Sequence, residues 1–245
     1  MENKKNISVC LTPDQFKKYS DKKSIVVVID LLRATSVIST AFENGIDSII
    51  PVETLDKALE YKNKEGYILA AERETKLVEG FTYGNSPYQY INSNIKGKIL
   101  VLTTTNGTKA IHLAKEHKVI TASFINIQAV VRYLIKENNN VIILCSGWKN
   151  FFNIEDPIFA GALSSLLIES GCFQSNCDAS LLAQELYSTA KNNIFEFLKD
   201  SSYRKRNHSE QLIKDTIFCL SPTINSNIVP LFVNGSLVKA EHTKE

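Results

Sequence analysis

Four stretches of the chain are apolar with no polar alternation: SIVVVID (Ser24–Asp30), GYILAAE (Gly66–Glu72), KILVLT (Lys98–Thr103) and NVIILCS (Asn140–Ser146). An unbroken run of this length is the pattern of a strand covered on both faces, as in a mostly parallel sheet between helical layers. IDSIIPV and KVITAS predict two further strands. Helical patterns lie between them. TSVISTAFENG closes at Gly45, a C′ glycine. TLDKALEYKNKEG runs from Thr54 to Gly66. SPYQY reads as a capping box, with Ser86 at the N-cap, Pro87 at N1 and Gln89 at N3. EDPIFAGALSSLLIESG starts with Asp156 as N-cap and Pro157 at N1 and ends at Gly171. A long amphipathic helix is predicted over 178–200. Strand and helix alternate, so the fold class is α/β with three layers. No linker or composition break divides the chain, which predicts one domain over residues 1–245.

In open α/β sheets ligands collect beyond the carboxyl ends of the strands. Strand, polar loop and helix recur in VVVIDLLRATSVIS, ILVLTTTNGTKAI and VIILCSGWKNF…EDPIFAGAL. The recurrence places three polar loops at one edge of the sheet. The first exit carries Asp30, Arg33, Thr35 and Ser36, and the second carries Glu72, Arg73 and Glu74. GFTYGNSP adds Asn85 and Ser86. The third exit is the run Thr103–Thr108, and the fourth adds Ser146 and Gly147, with Glu155 and Asp156 opening the next helix. Each has an ordinary structural reading. Asp30 could cap a turn, Arg33 or Arg73 could pair with a neighbouring acid, Asp156 could cap its helix, and Asn106-Gly107 is a common turn dipeptide. Taken together, two arginines, several carboxylates and a hydroxyl-rich loop describe a site for a divalent metal and a doubly charged anion. Mg²⁺ takes oxygen ligands, typically one or two carboxylates plus water and substrate phosphate, and arginine forks match phosphate or sulfonate oxygens.

Composition narrows the classes. The 245 residues are 44% hydrophobic, enough for a substantial core. A net charge of +2 from 28 basic and 26 acidic residues argues against a nucleic-acid or membrane-surface partner. The one basic run, YRKRNH (Tyr203–His208), reads as a solvated loop. No apolar segment approaches the ~20 residues that span a bilayer, and the first fifteen residues lack the apolar stretch of a signal peptide. Five cysteines without a CxxC pair fit neither a disulfide framework nor a zinc site. The expectation is a reduced, cytoplasmic protein acting on a small anionic substrate, with homo-oligomer formation left open. GxxxxGK(S/T), GxGxxG and GxSxG are absent. The four histidines show no metal-binding spacing. His112 and His117 fall on a helix with an exposed face, and His208 is the one histidine considered for a site.

The motifs DLLRATS (Asp30–Ser36), AER (Ala71–Arg73), GFTYGNSP (Gly80–Pro87), TTTNGT (Thr103–Thr108) and EDPIFAG (Glu155–Gly161) occur in the order seen in the 2-phosphosulfolactate phosphatase family, which the chain resembles from about Ser24 to Gly161 and more faintly through SSYRKRNHSEQL to IVPLF. The resemblance implies a three-layer α/β/α sandwich with a mixed, mostly parallel sheet. It also implies a Mg²⁺-dependent enzyme that hydrolyses 2-phosphosulfolactate to sulfolactate and phosphate, a step towards coenzyme M. Carried over by position, the family's DLLRAT acid and arginine are Asp30 and Arg33, and its ER pair is Glu72 and Arg73. The asparagine of GNSP is Asn85, the TTNGT core is Thr104 to Thr108, and the acidic pair is Glu155 and Asp156.

Chemistry then assigns roles. Asp30 and Glu72 are expected on Mg²⁺, with Asp156 as a third ligand, and Arg33 and Arg73 on the phosphate and sulfonate. Asn85, Thr104, Thr105, Asn106, Thr108 and Ser146 are expected to line the anion pocket. The chain departs from the family at Ala71, where a glycine is usual, at CSG (Cys145–Gly147) in place of CAG, and through its C-terminal third. Two routes remain open: attack by water on phosphorus or attack by Asp30 to form an aspartyl-phosphate, although DxDxT is absent. The rival functions are a phosphatase for another phosphorylated hydroxy acid and a protein that binds such a metabolite without turnover.

Overall fold

The computed structural model describes residues 4–19, 21–73, 76–91, 93–221 and 224–240. Among these the strands are β1 (Lys5–Cys10), β2 (Ile25–Ile29), β3 (Ser48–Pro51), β4 (Tyr67–Arg73), β5 (Lys76–Leu77), β6 (Ile99–Thr103), β7 (Lys118–Thr121), β8 (Val141–Cys145), β9 (Phe173–Gln174), β10 (Pro230–Val233) and β11 (Ser236–Lys239). The helices are α1 (Ala34–Glu43), α2 (Leu55–Leu59), α3 (Gly107–Leu113), α4 (Ile127–Glu137), α5 (Glu155–Glu169), α6 (Asp178–Ala190), α7 (Ile194–Phe197), α8 (Ser202–Arg206) and α9 (Glu210–Leu220).

The strands form one mixed sheet in the order β5-β4-β6-β3-β11-β10-β7-β2-β8-β1-β9. β4, β6 and β3 are mutually parallel neighbours, as are β7, β2, β8, β1 and β9. The hairpin β10–β11 lies between these two blocks and pairs antiparallel on both sides. Its turn is built by Asn234 and Gly235, both at positive φ, the backbone that a two-residue hairpin loop needs. The hairpin corrects the expectation of a single shared sheet edge. Three successive antiparallel pairings separate the blocks, yet the exits of β2, β4, β6 and β8 still open into one cleft.

The unbroken apolar runs have the predicted cause. All five residues of β2 are fully buried. Ile25, Val27 and Ile29 face a cluster that includes Val130 and Leu134 of α4 and Ile158, Phe159 and Leu163 of α5. Val26 and Val28 face the opposite layer, with Val37, Ile38 and Phe42 of α1 and Ile111 of α3. Each such side chain stabilises the fold by roughly 1.5–3 kcal/mol relative to exposure. α5 and α6 approach closely at Gly161, where an added Cβ would lie 1.9 Å from the Ala183 carbonyl oxygen.

Several predicted elements differ in detail. The helix expected over 54–66 stops at Leu59 and continues as i→i+3 turns, since among its residues only Ala58 is buried. SPYQY forms a 3-10 turn and no capping box. Gln89 Oε1 accepts from Gly84 N at 2.7 Å, and the Ser86 hydroxyl is directed to Asp215. The helix over 178–200 breaks after Ala190, because the Asn193 side chain accepts from Glu196 N and starts a new helix. Asp156 is not the cap of α5. Ile154 holds that position, and the Asp156 carboxylate reaches across to two strand exits. α3 ends before His117, and both His112 and His117 are half-buried, not on an exposed helical face. YRKRNH is α8 followed by buried Asn207, not a solvated loop.

Candidate active site

Asp30 directly follows β2. Its backbone carbonyl accepts from Thr35 N at 2.9 Å and from the Thr35 hydroxyl at 3.0 Å, and the Ser36 hydroxyl donates to Leu31 O. These bonds fold DLLRATS tightly onto the start of α1 and aim the Asp30 side chain into a cleft of about 660 Å³. Asp156 stands behind it. One of its oxygens accepts from Leu31 N at 2.9 Å, and the other from Gly147 N at 3.2 Å and Asn153 Nδ2 at 2.9 Å. With no exposed surface and three N–H donors, Asp156 ties the exits of β2 and β8 to α5. Burial, followed by repulsion from Asp156, raises the Asp30 carboxyl above the usual carboxylate range. Burial and Glu155 do the same to Asp156.

The neighbour of Asp156 in sequence faces the cleft instead. Glu155 lines it while remaining 5% exposed. Burial pushes its carboxyl up to about 7, with the negative charge of Asp30 adding and the positive charge of Arg206 opposing.

The threonine run after β6 divides its tasks. The Thr103 hydroxyl accepts from Arg73 Nη2 at 3.0 Å. Thr104 and Thr108 bond each other reciprocally: Thr108 N donates to Thr104 Oγ1, Thr104 N to Thr108 Oγ1, and the Thr108 hydroxyl to Thr104 O. Both are buried and close the turn into α3. Thr105 and Asn106, between them, line the cleft. Gly107 then passes so near Asp30 that an added Cβ would stand 2.8 Å from both Asp30 Oδ2 and the Ala34 methyl.

Glu72 and Arg73, at the end of β4, also line the cleft. Arg73 is braced by bonds to Glu72 O at 2.7 Å and Thr103 O at 3.3 Å. Asn85 is 5% exposed, and its Oδ1 has no hydrogen-bond partner, so the cleft wall presents an unsatisfied acceptor. Asn153 Oδ1 is in the same condition. Arg33 and Ser146 lie elsewhere. Arg33 is buried in an ion pair with Asp215 and faces an adjoining cleft that also holds His208. Ser146 is buried below a second neighbouring cleft. Glu74 lies outside the described residues, as does His242.

A family model described as 2-phosphosulpholactate phosphatase matches residues 10–235. The chain belongs to this family. It is 40% identical over 215 residues to a probable 2-phosphosulfolactate phosphatase of Thermotoga maritima, covering 88% of this chain and 92% of that one. It is 38% identical over 235 residues to the protein of the same description from Clostridium tetani, covering 94% and 98%, and 35% identical to that of Clostridium acetobutylicum, covering 95% and 99%.

Within this family member, part of the cleft lining comes from residues that sequence reasoning left out. Leu32, Trp148, Lys149 and Asn153 line it from the β2 and β8 exits, and Tyr203, Arg206 and Asn207 from α8 and its end. The Arg206 guanidinium stacks on the Trp148 ring at 3.9 Å from the ring centre. Lys149 N donates to Asn106 Oδ1 at 2.9 Å, which joins this wall to the threonine loop. One signal was available in YRKRNH: Tyr203 and Arg206 are three residues apart, so on a helix they share a face.

Proposed function

We propose that this protein hydrolyses 2-phosphosulfolactate to sulfolactate and phosphate, with Mg²⁺ as cofactor. The observation that carries the reading is the convergence of Asp30, Glu72, Glu155 and Arg73 on one cleft in a member of this family. That set supplies charge neutralisation and proton transfer together, the two needs of phosphoryl transfer to water.

The donor chemistry suits Mg²⁺. Among the described residues no three Asp, Glu, His or Cys side chains form a ready-made cage, and Mg²⁺ ordinarily takes one or two carboxylates and completes its shell with water and substrate phosphate. Asp30 and Glu72 would hold it, because both carboxylates line the same cleft. Asp156, with both oxygens engaged by N–H donors, would position Asp30 and not ligate the ion. When bound, the ion would neutralise charge on the transferring phosphoryl group.

The remaining steps belong to the side chains. Arg73 would fork onto phosphate oxygens, held rigid by Thr103. Thr105 and Asn106 would add neutral contacts. Water attacks phosphorus, the bond to the C2 oxygen breaks, and Glu155 donates its proton to the departing alkoxide. The products are sulfolactate, dihydrogen phosphate and a Glu155 carboxylate that regains its proton from solvent. Direct attack by water is favoured over an aspartyl-phosphate because the DxDxT pattern of aspartyl-phosphate phosphatases is absent and Asp30 is assigned to the ion.

The deciding experiment is phosphate release from 2-phosphosulfolactate, with 2-phospholactate as control, in EDTA and after addition of Mg²⁺. Mg²⁺-dependent release selective for the sulfonate is expected. Selective release from 2-phospholactate would replace the substrate and keep the chemistry. No release from either would favour binding without turnover.

A further inference from the structure

Three arginines lie at or beside the cleft. Arg33 is committed to Asp215, and Arg73 is braced by Glu72 O, Thr103 O and the Thr103 hydroxyl at the carboxylate end. Arg206 differs. Among the described residues its guanidinium makes neither an ion pair nor a hydrogen bond. It is held by stacking on Trp148 instead. Stacking fixes the plane of the fork and leaves its N–H edges available, the arrangement that recognises a tetrahedral anion. Arg206 also sits where the main cleft meets the adjoining one, since both are lined by it and by Asn85. Its charge faces the cleft that Glu155 also lines.

We infer that Arg206, held on Trp148, binds the sulfonate of the substrate, the anionic group that 2-phospholactate lacks, and so sets selectivity for the sulfonated ester over one that carries only phosphate and carboxylate. The inference rests on the proposed activity, and it assigns the selectivity to a part of the cleft lining other than Arg73, the residue that would handle phosphate. Arg73 and the carboxylates would act on the phosphoryl group, while Arg206 would act on a group that does not react.

The test compares kcat/KM for 2-phosphosulfolactate and 2-phospholactate in the wild type, Arg206→Gln and Arg206→Lys. A charge-assisted pair of this kind predicts that the ratio falls on the order of 30-fold in Arg206→Gln, with Arg206→Lys intermediate because it keeps charge and loses the fork. An unchanged ratio, including one in which both constants fall together, overturns the assignment. If the wild type turns over neither ester, the proposed activity fails by itself. Calorimetric titration with sulfolactate then decides: affinity at least ~10-fold weaker in Arg206→Gln supports the inference, and equal or absent binding in the wild type and the variant overturns it. Arg206 is exposed, so both variants should fold, and circular dichroism checks this.

Discussion

Arg33 Nη1 and Asp215 Oδ2 form a buried ion pair across 182 residues of sequence, between the loop after β2 and α9. The side chains are 5% and 0% exposed. Asp215 also accepts from the Ser86 hydroxyl at 2.7 Å and from Gln211 Nε2 at 2.9 Å. One carboxylate thus ties together DLLRATS, GNSP and the C-terminal third. The pair places Arg33 as a brace between elements that frame the cleft.

Removing Asp215 tests that brace. Asp215→Ala leaves an uncompensated buried guanidinium and two unpaired donors, which predicts a loss of about 3–5 kcal/mol in urea unfolding. The double variant Arg33→Met/Asp215→Leu, which deletes both charges, should recover a large part of it. Equal destabilisation of the single and double variants would show that the pair is not the source.

The threonine loop yields a contrast within a single motif. Thr108→Val removes a hydroxyl that both donates to Thr104 O and accepts from Thr104 N. The expected result is lower stability by about 1–3 kcal/mol. Thr105→Val removes a hydroxyl at the cleft surface, so the expected result is a raised KM with little change in melting temperature. Reversal of the two phenotypes would exchange the roles.

Sequence patterns made the buried strands and the list of chemical groups legible, because both depend on local residue types. DLLRATS and TTTNGT lie at strand exits and the acidic pair opens the helix after β8, as the pattern implied. The pattern could not apportion roles within a motif. Glu155 and Asp156 are adjacent, yet one faces the cleft and the other is sealed behind it, and that depends on how α5 meets Leu31 and Gly147. Arg33 and Arg73 read as equivalent, but their settings differ through a partner on α9. The Arg206–Trp148 wall requires α8 to fold over a loop more than fifty residues earlier, a long-range contact with no local signature.

Glu155→Gln tests proton donation without asking for total loss. If Glu155 protonates the departing alkoxide, the variant should lose on the order of 10²-fold or more in kcat on 2-phosphosulfolactate. The loss should be far smaller on p-nitrophenyl phosphate, whose leaving group departs without a proton. Equal losses on both esters would remove Glu155 from that role.

The same residue predicts a pH signature in stability. In the unfolded chain Glu155 titrates near 4.5, whereas in the folded protein its carboxyl is pushed up to about 7 by burial. Between these values the folded state retains a proton that the unfolded state has lost. Unfolding therefore becomes easier as pH rises through this window, and the full penalty applies above about 7. A shift of this size corresponds to roughly 3 kcal/mol. Glu155→Gln cannot ionise, so at pH 8 without divalent cation it should melt several degrees above the wild type, with the difference shrinking towards pH 5. Thermal melts of both proteins across that range are the measurement. Parallel curves with no pH-dependent gap would show that Glu155 is ionised in the folded state at no cost, and that its burial does not hold its proton.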